Sequence, residues 1–567
     1  MNKPWLSPFP RRFVADGLSI EKWEDIAPYY DKLDSRSVGA KDQLENWLAD
    51  LSELKSVTEE FVTRRYIAMT CQTDDTAKKE AYLYCVREME PKITEWDDRL
   101  LRKYLDSPAR GELDKAHFAR MDRMFRTAVE LFDERNIPVQ VELSELSQSY
   151  QETMGAMTVV FDGKELTLQQ VAAFLREPDR DLRRRAFLST TERRMRDREK
   201  LDALFGQMLD LRSRFAENLK LPNYMEYCFK SKLRDYTPAD CLQFHDAIEK
   251  TAVPLARLIN KRRAEDMGLD SIKPWDTACD PKGRPPLKPF TTAEELFKGV
   301  TSVFSGVDSR LGEMFGSIGF SMDLDSRKGK APGGYQTTLE EARIPFIFTN
   351  AVGLQDDVNT LLHEGGHAFH TLQSRNNPHV WYRHAPMEFS EVASMSMELA
   401  GGDFLSPFYK TADERLRAKR ERLESIVSLF PWVAQVDAFQ FWIYTHPGHT
   451  SKDRDRAWLE LSERFSTGVD WTDTPEGARE SAWHRQLHIF EVPFYYIEYA
   501  IAQMGALQIY QRFKSNPKTA VEGYLTALSV GGGKPVDELF SSAGIKFDFS
   551  ERLLGELMDF TGKEIGL

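Results

Sequence analysis

His363-Glu364-Gly365-Gly366-His367 is the stretch on which the reading of this chain turns. On a helix, residues four apart stand one above the other, so His363 and His367 can aim two imidazoles at one metal ion. Glu364 projects beside them, within reach of a water in an open coordination position. Two nitrogen ligands and a carboxylate that can take a proton from water make up the donor set of zinc-assisted hydrolysis. The bland alternative is a polar helix face with two solvated histidines. The flanks argue against it, because Val358, Leu361, Leu362, Ala368, Phe369 and Leu372 are apolar at helical spacing. Polar groups on a core helix are paired or liganded, since burial without a partner is costly.

A catalytic zinc takes three protein ligands and keeps one position for water. The metzincin pattern would need glycine and histidine where this chain has His370 and Gln373, so that class is excluded. The remaining route is a glutamate from a second helix. Met387–Glu398 lacks Gly and Pro and is rich in helix formers. Glu391 and Glu398 are seven apart and share a face, with small Ala393, Ser394 and Ser396 around them that permit close packing. Glu388 lies on the same face and is the rival ligand, with His384 and His370 as further candidates. On residue chemistry alone the choice between Glu391 and Glu388 stays open.

Downstream, Leu487–Tyr499 concentrates His488, Tyr495, Tyr496 and Tyr499. Phenol and imidazole N–H groups are neutral donors suited to the negative charge that develops on a carbonyl oxygen. Pro493 reads as a first helical residue, which puts Tyr496 and Tyr499 on one face at i, i+3, and Tyr495 and Tyr499 at i, i+4. An aromatic core stripe is the structural alternative. Upstream of the motif, Lys328–Gln336 is a glycine-rich turn holding Gly333, Gly334 and Tyr335, and Ile344–Asn350 reads as a short strand. Gly531-Gly532-Gly533 is no phosphate loop, because Lys534 is followed by Pro535.

At 567 residues the chain is too long for one simple core, which predicts two or more lobes. The basic opening Met1–Arg12 has no apolar stretch of a secretory leader, and no run approaches the roughly 20 uninterrupted apolar residues of a membrane span. Five cysteines (Cys71, Cys85, Cys228, Cys241 and Cys279) are odd in number and scattered, which predicts a reducing cytoplasm and no cysteine metal site. The net charge of −13, from 76 basic against 89 acidic residues, argues against nucleic acid and membrane as partners. Nothing here decides against a homo-oligomer.

The first ~200 residues read as charged amphipathic helices, with predicted spans Lys41–Lys55, Thr58–Thr70, Thr76–Glu88, Pro91–Tyr104 and Leu113–Asn136. Val159–Leu166 reads as a hairpin with an Asp-Gly turn. A helix follows to Leu175, and Asp179–Phe215 is a long helical stretch in which Arg183-Arg184-Arg185 reads as a solvated face. The proline-rich Pro274–Phe290 predicts turns and a strand, and helices resume at Thr292–Phe304.

The stretches Leu362–His370 and Ser390–Glu398 resemble the thimet-oligopeptidase family of zinc metallopeptidases, and within it the oligoendopeptidase F and Pz-peptidase branch. The likeness is strongest over about residues 320–540. It implies a mainly α fold, with two helical lobes enclosing a deep substrate channel and a small β-sheet beside the zinc site. A boundary near residue 200 would separate an N-terminal helical lobe (1–200) from the catalytic region (201–567). It implies one Zn²⁺ per chain on His363, His367 and Glu391, with Glu398 orienting a histidine and His370 in a supporting role. Glu364 would be the general base, Tyr496 and Tyr499 the transition-state donors with Tyr495 as an alternative to Tyr496, and His488 a substrate-contacting donor. Gly333, Gly334 and Tyr335 would line the path of an extended peptide. The implied activity is cytoplasmic endopeptidase action on oligopeptides; a related carboxypeptidase and a non-catalytic peptide-binding homologue are the alternatives.

Overall fold

The computed structural model describes residues 4–567. The described residues are mainly α-helical, with one two-stranded and one three-stranded sheet. The chain divides into two compact units, each assembled from three segments. The first takes the N-terminal segment through Glu130, Lys288–Lys419 and Ala502–Phe547; the second takes Leu131–Leu287, Arg420–Ile501 and Asp548–Leu567. This interleaved division does not follow a single cut near residue 200.

In the first unit the long helix Lys41–Cys71 buries Leu44, Trp47, Leu48, Leu51, Leu54 and Val57 on one stripe. It is continuous where the sequence predicts two helices. Ser56, at the expected break, donates its hydroxyl to the Ser52 carbonyl at 2.8 Å, so the helix absorbs it. The opposite happens at Leu113–Asn136, which ends as Lys115–Glu130 before a new helix starts, Asn136–Gly155. Between them Asp133 accepts the Arg135 N–H at 2.9 Å, a local turn that competes with the helix.

In the second unit Thr158–Phe161 (β1) and Lys164–Thr167 (β2) form the predicted antiparallel hairpin. Asp162 and Gly163 both have positive φ, 49° and 79°, as a type I′ turn requires. The stretch after Asp179 is two helices, Arg180–Arg196 and Arg198–Asn218. Arg184 and Arg185 are exposed as expected, but Arg183 is buried and pairs with Asp276 at 3.0 Å. Pro274–Phe290 forms one 3-10 turn, Pro274–Asp276, and no strand.

The site region belongs to the first unit. Met322–Asp325 (β3), Tyr335–Leu339 (β4) and Ile344–Ala351 (β5) form a sheet of order β3-β5-β4, parallel on one side of β5 and antiparallel on the other. From β5 the chain turns through Gly353, at φ +96°, into the motif helix Gln355–Ser374. The Asp357 carboxylate starts that helix by accepting the N–H groups of Val352, Gly353 and Leu354 at 2.9, 2.9 and 2.8 Å. The six apolar flanking residues of the motif are all buried. The glutamate helix Met387–Gly401 packs directly on the motif helix. The Gly531–Gly533 run packs against the backbone ahead of it, the Gly532 N–H donating to the Tyr382 carbonyl at 2.9 Å.

Among the described residues one helix, Ala412–Thr445, is long and apolar enough to cross a membrane, but 78% of its most apolar window is buried inside the protein, as in a core helix.

Gly366 is where the two site helices touch. A methyl group there would stand 2.5 Å from the Ser394 Cα and 2.6 Å from the Ala393 carbonyl oxygen. Backbone cannot yield as a side chain can, so Gly366→Ala is expected to cost about 1–3 kcal/mol by overpacking, read in chemical denaturation.

Candidate active site

Three side chains on these two helices bring one ligand atom each to a common point. His363 Nε2 and His367 Nε2 are 3.2 Å apart, and Glu391 Oε2 stands 3.3 Å from the first and 3.6 Å from the second. Four-coordinate zinc with bonds of about 2.0–2.1 Å keeps its tetrahedral ligand atoms about 3.3–3.4 Å apart. The donor triad therefore has the spacing and the ligand chemistry of a three-ligand zinc site with one position left over. Glu388 is buried on the same helix but stands outside the triad, as do His370 and His384. His384 pairs instead with Glu340 at 2.6 Å.

Surrounding groups fix how each ligand presents itself. His363 Nδ1 meets Glu398 Oε1 at 2.8 Å, which holds the proton on Nδ1 and turns the Nε2 lone pair to the triad. The Ser394 hydroxyl donates to Glu391 Oε2 at 3.0 Å. Burial alone would push Glu391 up, yet His363, His367 and Ser394 together hold it down at about 2, so it is a carboxylate. Burial pulls His367 down to about 4, leaving a neutral imidazole able to coordinate. His363 is raised well above its ordinary value: burial opposes its charge, but hydrogen bonds to Glu391 and Glu398 outweigh it. The cluster thus attracts a positive charge, which a divalent cation supplies. His370 is buried with no partner on Nε2 and makes no hydrogen bond to the triad.

Glu364 is buried beside the triad, and burial, reinforced by Glu391 and Glu398 against the pull of His363, raises it to about 7. The backbone N–H of Gln336, on the edge strand β4, lies against its carboxyl. Just before it, the Tyr335 ring stacks on Phe348 at 4.8 Å and its hydroxyl meets Thr70 Oγ1 at 2.7 Å. That side chain is already engaged. Gly334 sits close to β5, with its Cβ direction 3.4 Å from the Phe348 carbonyl oxygen, and Gly333 has φ +95° with open space around it.

The second unit gathers His488, Tyr495, Tyr496 and Tyr499. The His488 ring centroid lies 5.6, 4.8 and 5.8 Å from those three tyrosines in order. The helix predicted to begin at Pro493 begins instead at Ile497, so Tyr495 and Tyr496 stand in the turn before it. Phe494 causes the delay: its φ of +60° is incompatible with a right-handed helix. Tyr496 and Tyr499 still meet, at 5.3 Å between centroids. Burial raises Tyr496 and lowers His488, so both stay neutral donors.

What holds Phe494 in this conformation lies far away in the chain. Gln440 accepts its N–H at 2.7 Å, and Arg234 donates to its carbonyl while gripping Glu498 at 2.7 Å. Tyr236 adds a hydroxyl to Glu498 at 2.7 Å. No local pattern announces Arg234. The one signal is Glu498 itself, a carboxylate within an aromatic run, which burial obliges to find a partner.

Residues 173–559 match Peptidase family M3, and residues 19–132 match the Peptidase M3 N-terminal domain. The chain belongs to peptidase family M3. It is 22% identical over 553 residues to the Oligoendopeptidase F homolog of Borreliella burgdorferi, covering 90% of this chain and 88% of that protein. With the chromosomal Oligoendopeptidase F of Lactococcus lactis subsp. cremoris the match is 25% over 236 residues, 41% of this chain and 38% of that one. Among solved structures, a Pz peptidase A with an inhibitor is similar at TM-score 0.88 and 26% identity, covering 97% of this chain and 99% of that one. An oligoendopeptidase-F from Enterococcus faecium shares the fold at TM-score 0.65 and 13% identity, covering 96% of each. Within M3 the chain falls in the oligoendopeptidase F branch.

The Arg234–Glu498 pair is fully buried, so Glu498→Gln is expected to cost about 3–5 kcal/mol by stranding the guanidinium. Chemical denaturation measures this, and the double variant Arg234→Met/Glu498→Gln is expected to lose less than the sum of the two single changes.

Proposed function

We propose that this M3 peptidase is a zinc-dependent oligoendopeptidase that hydrolyses internal bonds of short, extended peptides. The observation that carries this proposal is the convergence of His363 Nε2, His367 Nε2 and Glu391 Oε2 at tetrahedral-edge separations beside a buried glutamate. Bound there, zinc would polarise the scissile carbonyl and acidify a water. Glu364 would accept a proton from the attacking water and return it to the leaving amine. Its buried position and raised proton affinity suit a group that must both accept and return a proton. Glu398 keeps His363 in the ligating tautomer. Tyr496 and Tyr499, as neutral phenols, would donate hydrogen bonds to the carbonyl oxygen as negative charge develops on it, and His488 would contact the substrate.

The edge strand β4 supports the choice of extended peptides, since an unpaired strand edge can hydrogen-bond a peptide backbone. The names of the Borreliella and Lactococcus relatives point to the same substrate class. We assign the enzyme to the cytoplasm on its five scattered cysteines, with peptides as its partners and neither nucleic acid nor membrane among them.

Metal analysis and peptide digestion test the proposal together. The wild type is expected to hold one zinc per chain and to cleave internal bonds. Glu364→Gln is expected to keep the zinc and lose hydrolysis. Equal activity in both would move the chemistry elsewhere, and cleavage confined to the C-terminal bond would favour a carboxypeptidase. Replacing Glu398 with Ala is expected to weaken zinc affinity roughly 10–100-fold, read by competition with a chelator. Tyr499→Phe is expected to lower kcat by roughly 10²–10³ with zinc retained.

A further inference from the structure

The second unit contains a cavity of about 50 Å³ bordered by Arg194, Arg485, His484, Phe187 and Trp471. Two arginines face this one small cavity. Elsewhere in this unit Arg183 has Asp276 at 3.0 Å and Arg263 has Glu424 at 3.1 Å, while Arg212, which pairs with no carboxylate, donates to the Tyr444 hydroxyl and to the Ile489 and Phe490 carbonyls. Arg194 has neither kind of partner. Its Nε is buried with no hydrogen-bond partner, and the charged group beside it is Arg485. Burial first, and then Arg485, pull its guanidinium down to about 10. The acids close to His484 are already engaged: Asp202 holds His484 at 3.1 Å and Arg454 at 3.7 Å, and Asp455 holds Arg198.

Two guanidinium groups without a counter-charge repel each other, and an unpartnered buried N–H is costly. An anion cures both at once. The planar fork of arginine matches a carboxylate bidentately, and the two forks together offer it four or more donors. A water needs about 10–15 Å³ of such space, so the cavity has room for a carboxylate and for little beyond it. Arg485 is exposed, which leaves the pair reachable from solvent.

The cavity also adjoins the aromatic cluster. Arg485 lies over the Trp432 ring at 4.7 Å. Trp432 Nε1 donates to Gln486 Oε1 at 3.0 Å, and Gln486 Nε2 meets His488 Nδ1 at 2.7 Å. An anion held by the arginines would therefore sit beside the groups assigned above to substrate contact.

We propose that Arg194 and Arg485 form an anion subsite that takes a carboxylate of the peptide substrate. This deepens the oligopeptidase assignment and rests on it. Two sources offer the same chemistry, the free C-terminus and an acidic side chain.

Calorimetric binding to the Glu364→Gln protein, where turnover is removed, tests it with three peptides of one length. One has a free C-terminal acid, one a C-terminal amide, and one the same amide with a Glu next to the end. The free acid is expected to bind roughly tenfold or more tightly than the plain amide. That preference is expected to vanish in Arg485→Gln, an exposed position whose substitution spares the core, and in Arg194→Gln. If the Glu-containing amide binds like the plain amide, the terminus alone is the ligand; if it binds like the acid, either carboxylate serves; if it alone binds tightly, the side chain is the ligand. Equal binding of all three, absence of binding by all three, or a preference that survives both substitutions would overturn the subsite. Failure of the peptidase assignment reads differently, as no hydrolysis of any of the three by the wild type.

Discussion

The site depends on how closely two helices approach. With glycine at 366, the backbone of the glutamate helix comes within contact of the motif helix at Ala393 and Ser394. That closeness lets the short reach of Glu391 meet two imidazoles. The same approach puts Glu398, two turns further on, against the far nitrogen of His363. Gly365 serves a parallel purpose toward the core, where a methyl group would stand 2.6 Å from the Phe304 ring. The two residues between glutamate and histidine in the motif are thus as constrained as the ligands. A single larger side chain there would separate donors whose spacing decides whether they can share an ion.

Charge follows from that packing. The triad and Glu398 place two carboxylates around two imidazoles, which favours a bound cation, while burial keeps His367 neutral. Glu364, buried beside them, answers the same field in the other direction and holds its proton more tightly than an exposed glutamate would. Two carboxyl groups on neighbouring helices, Glu391 near 2 and Glu364 near 7, are separated by their surroundings into a ligand and a proton carrier. The arginine pair of the second unit is the reverse arrangement, positive charge gathered without an acid to meet it.

Much of this site was legible in the sequence because its ligands lie on regular elements. Helical spacing brought His363 and His367 together, and a gap of seven brought Glu391 and Glu398 onto one face. Spacing could not separate Glu391 from Glu388, because both belong to that face and the crossing of the helices decides between them. The hairpin at Asp162-Gly163 and the strand at Ile344 were equally readable, since turn chemistry and alternation are local. The two-unit division was not, because its segments interleave along the chain and only long-range contacts assemble them. Nor was the late start of the helix at Ile497, which follows from Phe494 being held left-handed by Gln440 and Arg234, residues 54 and 260 positions away in sequence. Arg183 was misread for the same reason: its partner Asp276 lies 93 residues on.

The central claim is that His363, His367 and Glu391 hold one zinc ion between them. Anomalous diffraction from crystals of the zinc-loaded protein, collected on both sides of the zinc absorption edge, tests it without reference to activity. One peak is expected, within bonding distance of His363 Nε2, His367 Nε2 and a Glu391 carboxylate oxygen. A peak held by Glu388 or His384 instead, or no peak at the triad, would contradict it.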